Sequence, residues 1–292
     1  MTEDRPTALP QRTDVDIADR GSAAMWDTGK VGDRPAVLLL HGWNVDAPLT
    51  FGRAVPHLTA SDEGTAGYRV VMFDLHGHGS GVRADSRFDL ERCADDALAV
   101  LDHLGIDAVV ATGYSMGGSI AQLLARRAPH RVHGLVLAAS AAHFAVTPRE
   151  RAELVGLRVG ADAMRRAPAA VRKRAFIRIA GAACRRYPDR VLETVLTADP
   201  VRLLEAGAQI RQFRSTSWLH EIRTPATVVV TERDQIVPPA RQRALAAGLA
   251  DVVRHDVDAD HDLPIDARGR LGPILRRAVD SVHDRIASPS RG

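Results

Sequence analysis

One serine in the chain stands where its surroundings can make it reactive. Gly113-Tyr114-Ser115-Met116-Gly117-Gly118 follows the apolar run Ala108–Thr112 and leads into a helical pattern beginning near Ser119. A G-x-S-x-G segment between strand and helix predicts a sharp turn that presents the Ser115 hydroxyl alone at the top of a sheet. The glycines remove side chains that would collide with the neighbouring strand and helix, and Ser115 is expected to adopt a strained backbone conformation. A helix N-terminus beside the hydroxyl favours the negative charge that develops when such a serine attacks a carbonyl.

A serine hydroxyl is a poor nucleophile until a base removes its proton. His261 is the expected base, in Asp258-Ala259-Asp260-His261-Asp262-Leu263-Pro264, after an apolar run ending near His255 and before the final helical pattern. Asp234 is the expected acid, just past Val228-Val229-Val230, with Pro238-Pro239 opening the next helix. The order Ser115, Asp234, His261 is one of the chain orders in which such triads occur. Glu232 lies nearer the strand end and is the second choice for the acid. The segment Ala138–Ala142, where a rival acid would stand, has no carboxylate. His255 falls inside the last run and is expected to face the sheet or solvent. The oxyanion needs two backbone donors. They are expected from Met116, directly after the nucleophile, and from Trp43 in the loop His41-Gly42-Trp43-Asn44. His41 itself is expected to hydrogen-bond locally.

Asp74-Leu75-His76-Gly77-His78-Gly79-Ser80-Gly81 combines a glycine-rich turn with a His-x-His pair. It lacks the Gly-Lys-Ser/Thr tail of a phosphate loop, and no third metal ligand is evident. It reads as a structural crossing loop near the mouth of the site.

The elements that must position these residues are legible as short apolar runs bounded by turns. Ala36–Leu40, Val70–Phe73, Ala108–Thr112, Leu135–Ala138, Thr227–Val230 and Val252–His255 predict buried parallel strands. Helical patterns at Leu90–Leu104, Ser119–Arg127, Ala240–Leu249 and Leu271–Ile286 alternate with them. Val15, Ile17, the Gly21-Ser22 turn, Ala24 and Trp26 predict a hairpin ahead of them. The fold class expected is α/β, a doubly wound, mostly parallel sheet with ligands at the carboxyl ends of its strands. Between about His143 and Thr224 the alternation stops. Val171, Ala175, Phe176, Ile179, Ala180 and Ala183 recur at helical spacing, Val191–Leu196 forms a second stretch, and Pro200 opens a third. Residues 143–223 are read as a helical cap inserted into a core of residues 14–142 and 224–287, with residues 1–13 a disordered tail.

Composition excludes several functions. Aromatic residues are 4% of the 292-residue chain, too few for the stacking platforms that bind single-stranded nucleic acid. Cys93 and Cys184 have neither metal spacing nor a disulfide framework, which suits a reducing cytoplasm. Met1–Arg20 has no apolar core, and the longest mainly apolar run, Leu135–Ala142, is too short to span a bilayer. A cytoplasmic protein without stable membrane insertion is expected. Its net charge is +3, yet Arg149 to Arg223 holds 16 basic and 8 acidic residues. That surplus suits either a solvated arginine-rich face or the steering of anionic substrates.

These motifs resemble the α/β-hydrolase family, in its serine-nucleophile branch with a helical cap, over residues 15 to 287. His41-Gly42-Trp43, the Asp74–Gly81 loop, the Gly113–Gly118 elbow, Asp234 and His261 carry the likeness. Within the family the chain is similar to small-molecule esterases and lipase-like enzymes, including monoacylglycerol-lipase-like ones. It is also similar to cofactor-free haloperoxidase-like and carbon–carbon bond hydrolases. The serine in the elbow departs from relatives in which an aspartate attacks, and His76 stands where the family loop often has arginine. The resemblance implies two-step acyl transfer on a small-molecule acyl substrate, a carboxylic ester first, with no metal and no organic cofactor. Thioester or carbon–carbon bond cleavage on the same triad remains an alternative, as does a non-catalytic ligand-binding member of the fold. Oligomeric state is not legible.

Overall fold

Short strands whose residues are aliphatic at every position have two faces to bury, so helices must cover both sides of the sheet. The computed structural model, which describes residues 9–17, 19–30, 32–61 and 66–287, has this arrangement. The chain runs through β1 (Arg12–Ile17), β2 (Gly21–Asp27), β3 (Ala36–Leu40), α1 (Ala47–Phe51), α2 (Val55–Thr59) and β4 (Val70–Phe73). It continues with α3 (Leu90–His103), β5 (Val109–Tyr114), α4 (Met116–Arg127) and β6 (Val132–Ala138). Four helices follow without a strand: α5 (Pro148–Arg166), α6 (Ala169–Ala183), α7 (Asp189–Thr197) and α8 (Pro200–Gln212). The chain then closes with β7 (Ala226–Thr231), α9 (Pro239–Gly248), β8 (Val252–Val257) and α10 (Leu271–Ala287).

The eight strands form one sheet in the order β1-β2-β4-β3-β5-β6-β7-β8. From β4 to β8 all pairs are parallel, while β1 and β2 form the expected hairpin and join β4 antiparallel. Side chains alternate across the sheet as a period of two requires. Leu38 and Leu40 of β3 face α3, α4 and α9, whereas Val37 and Leu39 face α1, α2 and α10. Each fully buried leucine contributes about 1.5–3 kcal/mol relative to exposure. Of the tail expected over residues 1–13, residues 1–8 lie outside the described part. β1 begins at Arg12, because pairing with Trp26 and Met25 extends the hairpin by two residues.

The glycine-rich loop after β4 turns inward. His76 and His78 are fully buried, with the His78 ring against His41 and Phe88. Arg20 reaches this loop, where its guanidinium donates to His76 Nδ1 at 3.2 Å and pairs with Asp96.

The inserted helices are fastened through α8. Glu205, buried, accepts from Phe88 N–H at 2.9 Å and Arg202 Nη1 at 2.9 Å, and it pairs with Arg165. Arg202 also donates to the carbonyls of Ala84 (3.2 Å) and Asp85 (2.8 Å). In contrast, α6 buries only Ala180 among its side chains, and its Val171, Ile177 and Ile179 are exposed.

Candidate active site

The turn between β5 and α4 is built as the glycines dictate. Ser115 caps α4 with φ +52° and ψ −115°, a left-handed conformation that a residue with a Cβ adopts only under strain. Around it the backbones pack too closely for side chains. A Cβ on Gly117 would lie 1.8 Å from the Leu40 carbonyl oxygen. The strained turn is tied down at both ends. Ser115 N–H donates to Ala138 O at 2.9 Å, and the Ser140 hydroxyl donates to Ser115 O at 2.9 Å. α4 thus starts at Met116, three residues before the sequence pattern predicts, and β5 runs on to Tyr114.

Two loops bring the remaining groups to this serine. The chain past β7 stays zipped to the chain past β8, with Glu232 N–H on Val257 O (3.0 Å) and Arg233 N–H on Ala259 O (2.9 Å). That zipper sets Asp234 beside His261. His261 Nδ1 lies 2.7 Å from Asp234 Oδ2, and His261 Nε2 lies 3.0 Å from Ser115 Oγ. The Nδ1 proton therefore sits on the carboxylate side, leaving the Nε2 lone pair toward the hydroxyl. Tyr114 steadies the histidine loop by donating its hydroxyl to His261 O at 2.9 Å. Burial, followed by the charge of Asp234, pushes that phenol well above its ordinary value, so it remains a donor.

Asp234 is 3% exposed, and its carboxylate is surrounded by donors. Oδ1 accepts from Ile236 N–H and Val237 N–H, both at 2.8 Å. Oδ2 accepts from Thr231 Oγ1 at 2.9 Å in addition to His261, with Gln242 Nε2 at 3.2 Å. Such partners offset the cost of burying the charge. Glu232, the rival acid, is directed elsewhere, its carboxylate paired with Arg243. His255 lies in β8, half-buried and away from this cluster.

Met116 opens α4, where the first-turn N–H groups have no partner within the helix. Trp43 is carried on the loop after β3. Gly42, just before it, approaches so closely that a Cβ there would touch the Ser115 Cβ at 3.6 Å. His41 is fixed beneath this loop. Its Nε2 accepts from Leu75 N–H at 3.0 Å, so Nδ1 carries the proton and donates to Gly42 O at 2.8 Å. Burial pulls it down to about 4, and it stays neutral as a structural pin. The Trp43 indole N–H donates to Leu203 O of α8 at 2.8 Å, which links the loop to the inserted helices.

Sequence reasoning missed Thr231, Gln242 and the Tyr114 hydroxyl. A threonine at a strand end and a glutamine in a helix carry no signal of their own. Among the described residues no cluster of three or more His, Cys, Asp or Glu is arranged to hold a metal ion. No described helix is long and apolar enough to cross a membrane.

Residues 35–163 match the family model of the α/β hydrolase fold. The pimeloyl-[acyl-carrier protein] methyl ester esterase of Aromatoleum aromaticum is 33% identical over 231 residues, covering 75% of this chain and 87% of that one. A poly(3-hydroxyalkanoate) depolymerase of Ectopseudomonas oleovorans is 26% identical over 269 residues, 87% of this chain and 88% of its own. Among solved structures, a thermophilic esterase from Thermogutta terrifontis superposes with a TM-score of 0.70 at 25% identity, over 94% of this chain and 99% of that one. The parallel sheet, the strained serine turn and a third of the residues shared along most of an esterase lead to one assignment: the chain belongs to the α/β-hydrolase family.

Proposed function

We propose that the protein is a serine esterase that cleaves small carboxylic esters through an acyl-enzyme. The observation that carries this reading is the unbroken path from Ser115 Oγ to His261 Nε2 (3.0 Å) and from His261 Nδ1 to Asp234 Oδ2 (2.7 Å). Ser115 attacks the ester carbonyl while His261 takes its proton at Nε2. Asp234 holds the imidazole in the required tautomer and stabilises the imidazolium that forms. The oxyanion is met by the Met116 and Trp43 N–H groups. His261 then returns the proton to the leaving alkoxide oxygen, the alcohol departs, and Ser115 is left acylated. Water, deprotonated by the same histidine, attacks the acyl carbonyl, and collapse of the second intermediate releases the carboxylic acid and restores the hydroxyl.

The helices from 143 to 223 serve in this reading as a cap that admits small acyl groups. The relatives support ester chemistry, one named for a methyl ester and one for a polyester. The surplus of basic over acidic residues between Arg149 and Arg223 favours an acyl group with a negative charge. A panel of chromogenic and methyl esters of graded acyl length, each with and without a terminal carboxylate, tests the proposal. Turnover of short esters is expected, with kcat/KM for the carboxylate-bearing members falling steeply as salt rises. Failure on every ester alongside cleavage of a thioester or a 1,3-diketone would transfer the triad to that chemistry.

A further inference from the structure

The carboxylate of Asp234 is held on its outer side by Thr231 and Gln242, which are both fully buried. The orientation of the Gln242 amide admits a single assignment. Its Oε1 lies 3.0 Å from Thr231 N–H, which can only donate. Its Nε2 lies 2.7 Å from Val237 O, which can only accept. The second N–H of that amide points to Thr231 Oγ1 at 2.8 Å, with Asp234 Oδ2 beyond it at 3.2 Å. The Thr231 hydroxyl has two acceptors in reach, Asp234 Oδ2 at 2.9 Å and Gln242 Oε1 at 3.2 Å, and the nearer, charged carboxylate takes its proton. That is the oxygen which His261 Nδ1 reaches at 2.7 Å.

We infer that Thr231 and Gln242 are positioning residues, a relay from Gln242 through Thr231 to Asp234 that sets which charge and which orientation His261 meets. The inference rests on the Ser115–His261–Asp234 reading above. The two backbone donors fix Oδ1, and rotation about the bond to the carboxyl is then controlled at Oδ2. There the imidazole and the relay share one oxygen. A donor on that oxygen disperses its charge, so the relay also limits how tightly His261 retains a proton.

Thr231→Val removes the donor and keeps the shape. It should lower kcat by about 10- to 100-fold, the scale of a small misplacement of catalytic groups, with KM within about twofold. The acidic limb of the pH profile of kcat/KM should move to higher pH, because Oδ2 then holds more charge. Thr231→Ser restores the donor and should return both quantities close to wild type. In an Asp234→Asn background, Thr231→Val should add less than about threefold, because groups acting as one unit do not add. Gln242→Leu leaves the threonine hydroxyl free to turn and should shift both readouts in the same direction by less. It also serves as the test if melting by circular dichroism shows the valine variant unfolded.

Ser115→Ala in the same series separates the two claims. Retained turnover in that variant would remove the reading of the site itself. If Ser115→Ala is inactive, three outcomes each overturn the relay alone: a Thr231→Val enzyme equal to wild type, a Thr231→Ser enzyme as impaired as the valine, or a lower kcat with an unmoved acidic limb.

Discussion

Glu205 offers the sharpest stability test, because three donors converge on one buried carboxylate. Its side chain is 6% exposed and that of Arg202 is 7% exposed, against 33% for Arg165. Glu205→Ala leaves Arg202 charged, with the Ala84 and Asp85 carbonyls as its remaining hydrogen-bond partners among the described residues. Breaking a buried pair from one side costs about 3–5 kcal/mol. The Phe88 N–H, deprived of its acceptor, adds about 1–3 kcal/mol. Arg165 can turn to water and adds little. A loss of about 4–8 kcal/mol follows, which in a chain of this size lowers the melting temperature by about 10–30 °C. The double variant Arg202→Met, Glu205→Leu removes both charges and replaces them with apolar volume, so it should recover the unpaired-charge part of that loss and keep only the cost of the Phe88 N–H and the Ala84 and Asp85 carbonyls losing their side-chain partners. Calorimetric melts of the wild type, the single variant and the double variant decide the matter. A single variant that melts within about 3 °C of wild type would refute the reasoning, as would a double variant no better than the single.

Asp234→Asn should lower kcat by about 10³- to 10⁴-fold with the fold intact, since it supplies the wrong hydrogen-bonding partner to His261. Glu232→Gln should cost far less, because that carboxylate is engaged by Arg243; ester kinetics on both variants would show a reversal if Glu232 were the acid. Stability should fall as pH drops from about 6.5 toward about 4. Burial holds His41 and His76 down to about 4, and burial followed by the neighbouring His41 holds His78 down to about 3. The unfolded chain, in which these groups titrate near 6.5, binds more protons across that window. Asp46 and Asp96, raised to about 6 by burial, and Asp74, also raised by burial, act in the opposite sense as pH rises; burial lowers His143, His255 and His283 as well, so the histidines outnumber the carboxyls. His78→Phe should flatten the dependence of melting temperature on pH between about 6.5 and 4.5, and an unchanged slope would show that His78 is not part of it.

The parts of the fold that were legible are those where physical need leaves a mark in residue type. β3 and β4 have the predicted ends because strands buried on both faces must be aliphatic throughout. The turn at Ser115 announces itself because no side chain other than hydrogen fits at Gly117. α4 was expected to begin near Ser119, since glycines at 117 and 118 depress helix propensity; packing against Leu40 overrides that preference. The inserted helices were harder to delimit. α6 is apolar on its solvent side as well as at Phe176 and Ala180, and Val155 and Val159 of α5 are also exposed, which blurs the period on which a helix face is read. The His-x-His loop reads from sequence as a structural crossing loop, and the structure adds that both rings turn inward, His76 onto Arg20 and Phe88 and His78 onto His41 and Phe88. The roles of Thr231, Gln242 and Glu205 arise only when distant segments meet.

The central claim is that Ser115 is the one nucleophile, and labelling with a fluorophosphonate measures it directly. Only a hydroxyl activated by a neighbouring base attacks such a probe quickly. Intact-protein mass spectrometry followed by peptide mapping should find one adduct, on Ser115, forming in step with the loss of esterase activity. Ser115→Ala should take up no label and hydrolyse no ester above background. An adduct on any other residue, or turnover that survives the alanine substitution, would contradict the account.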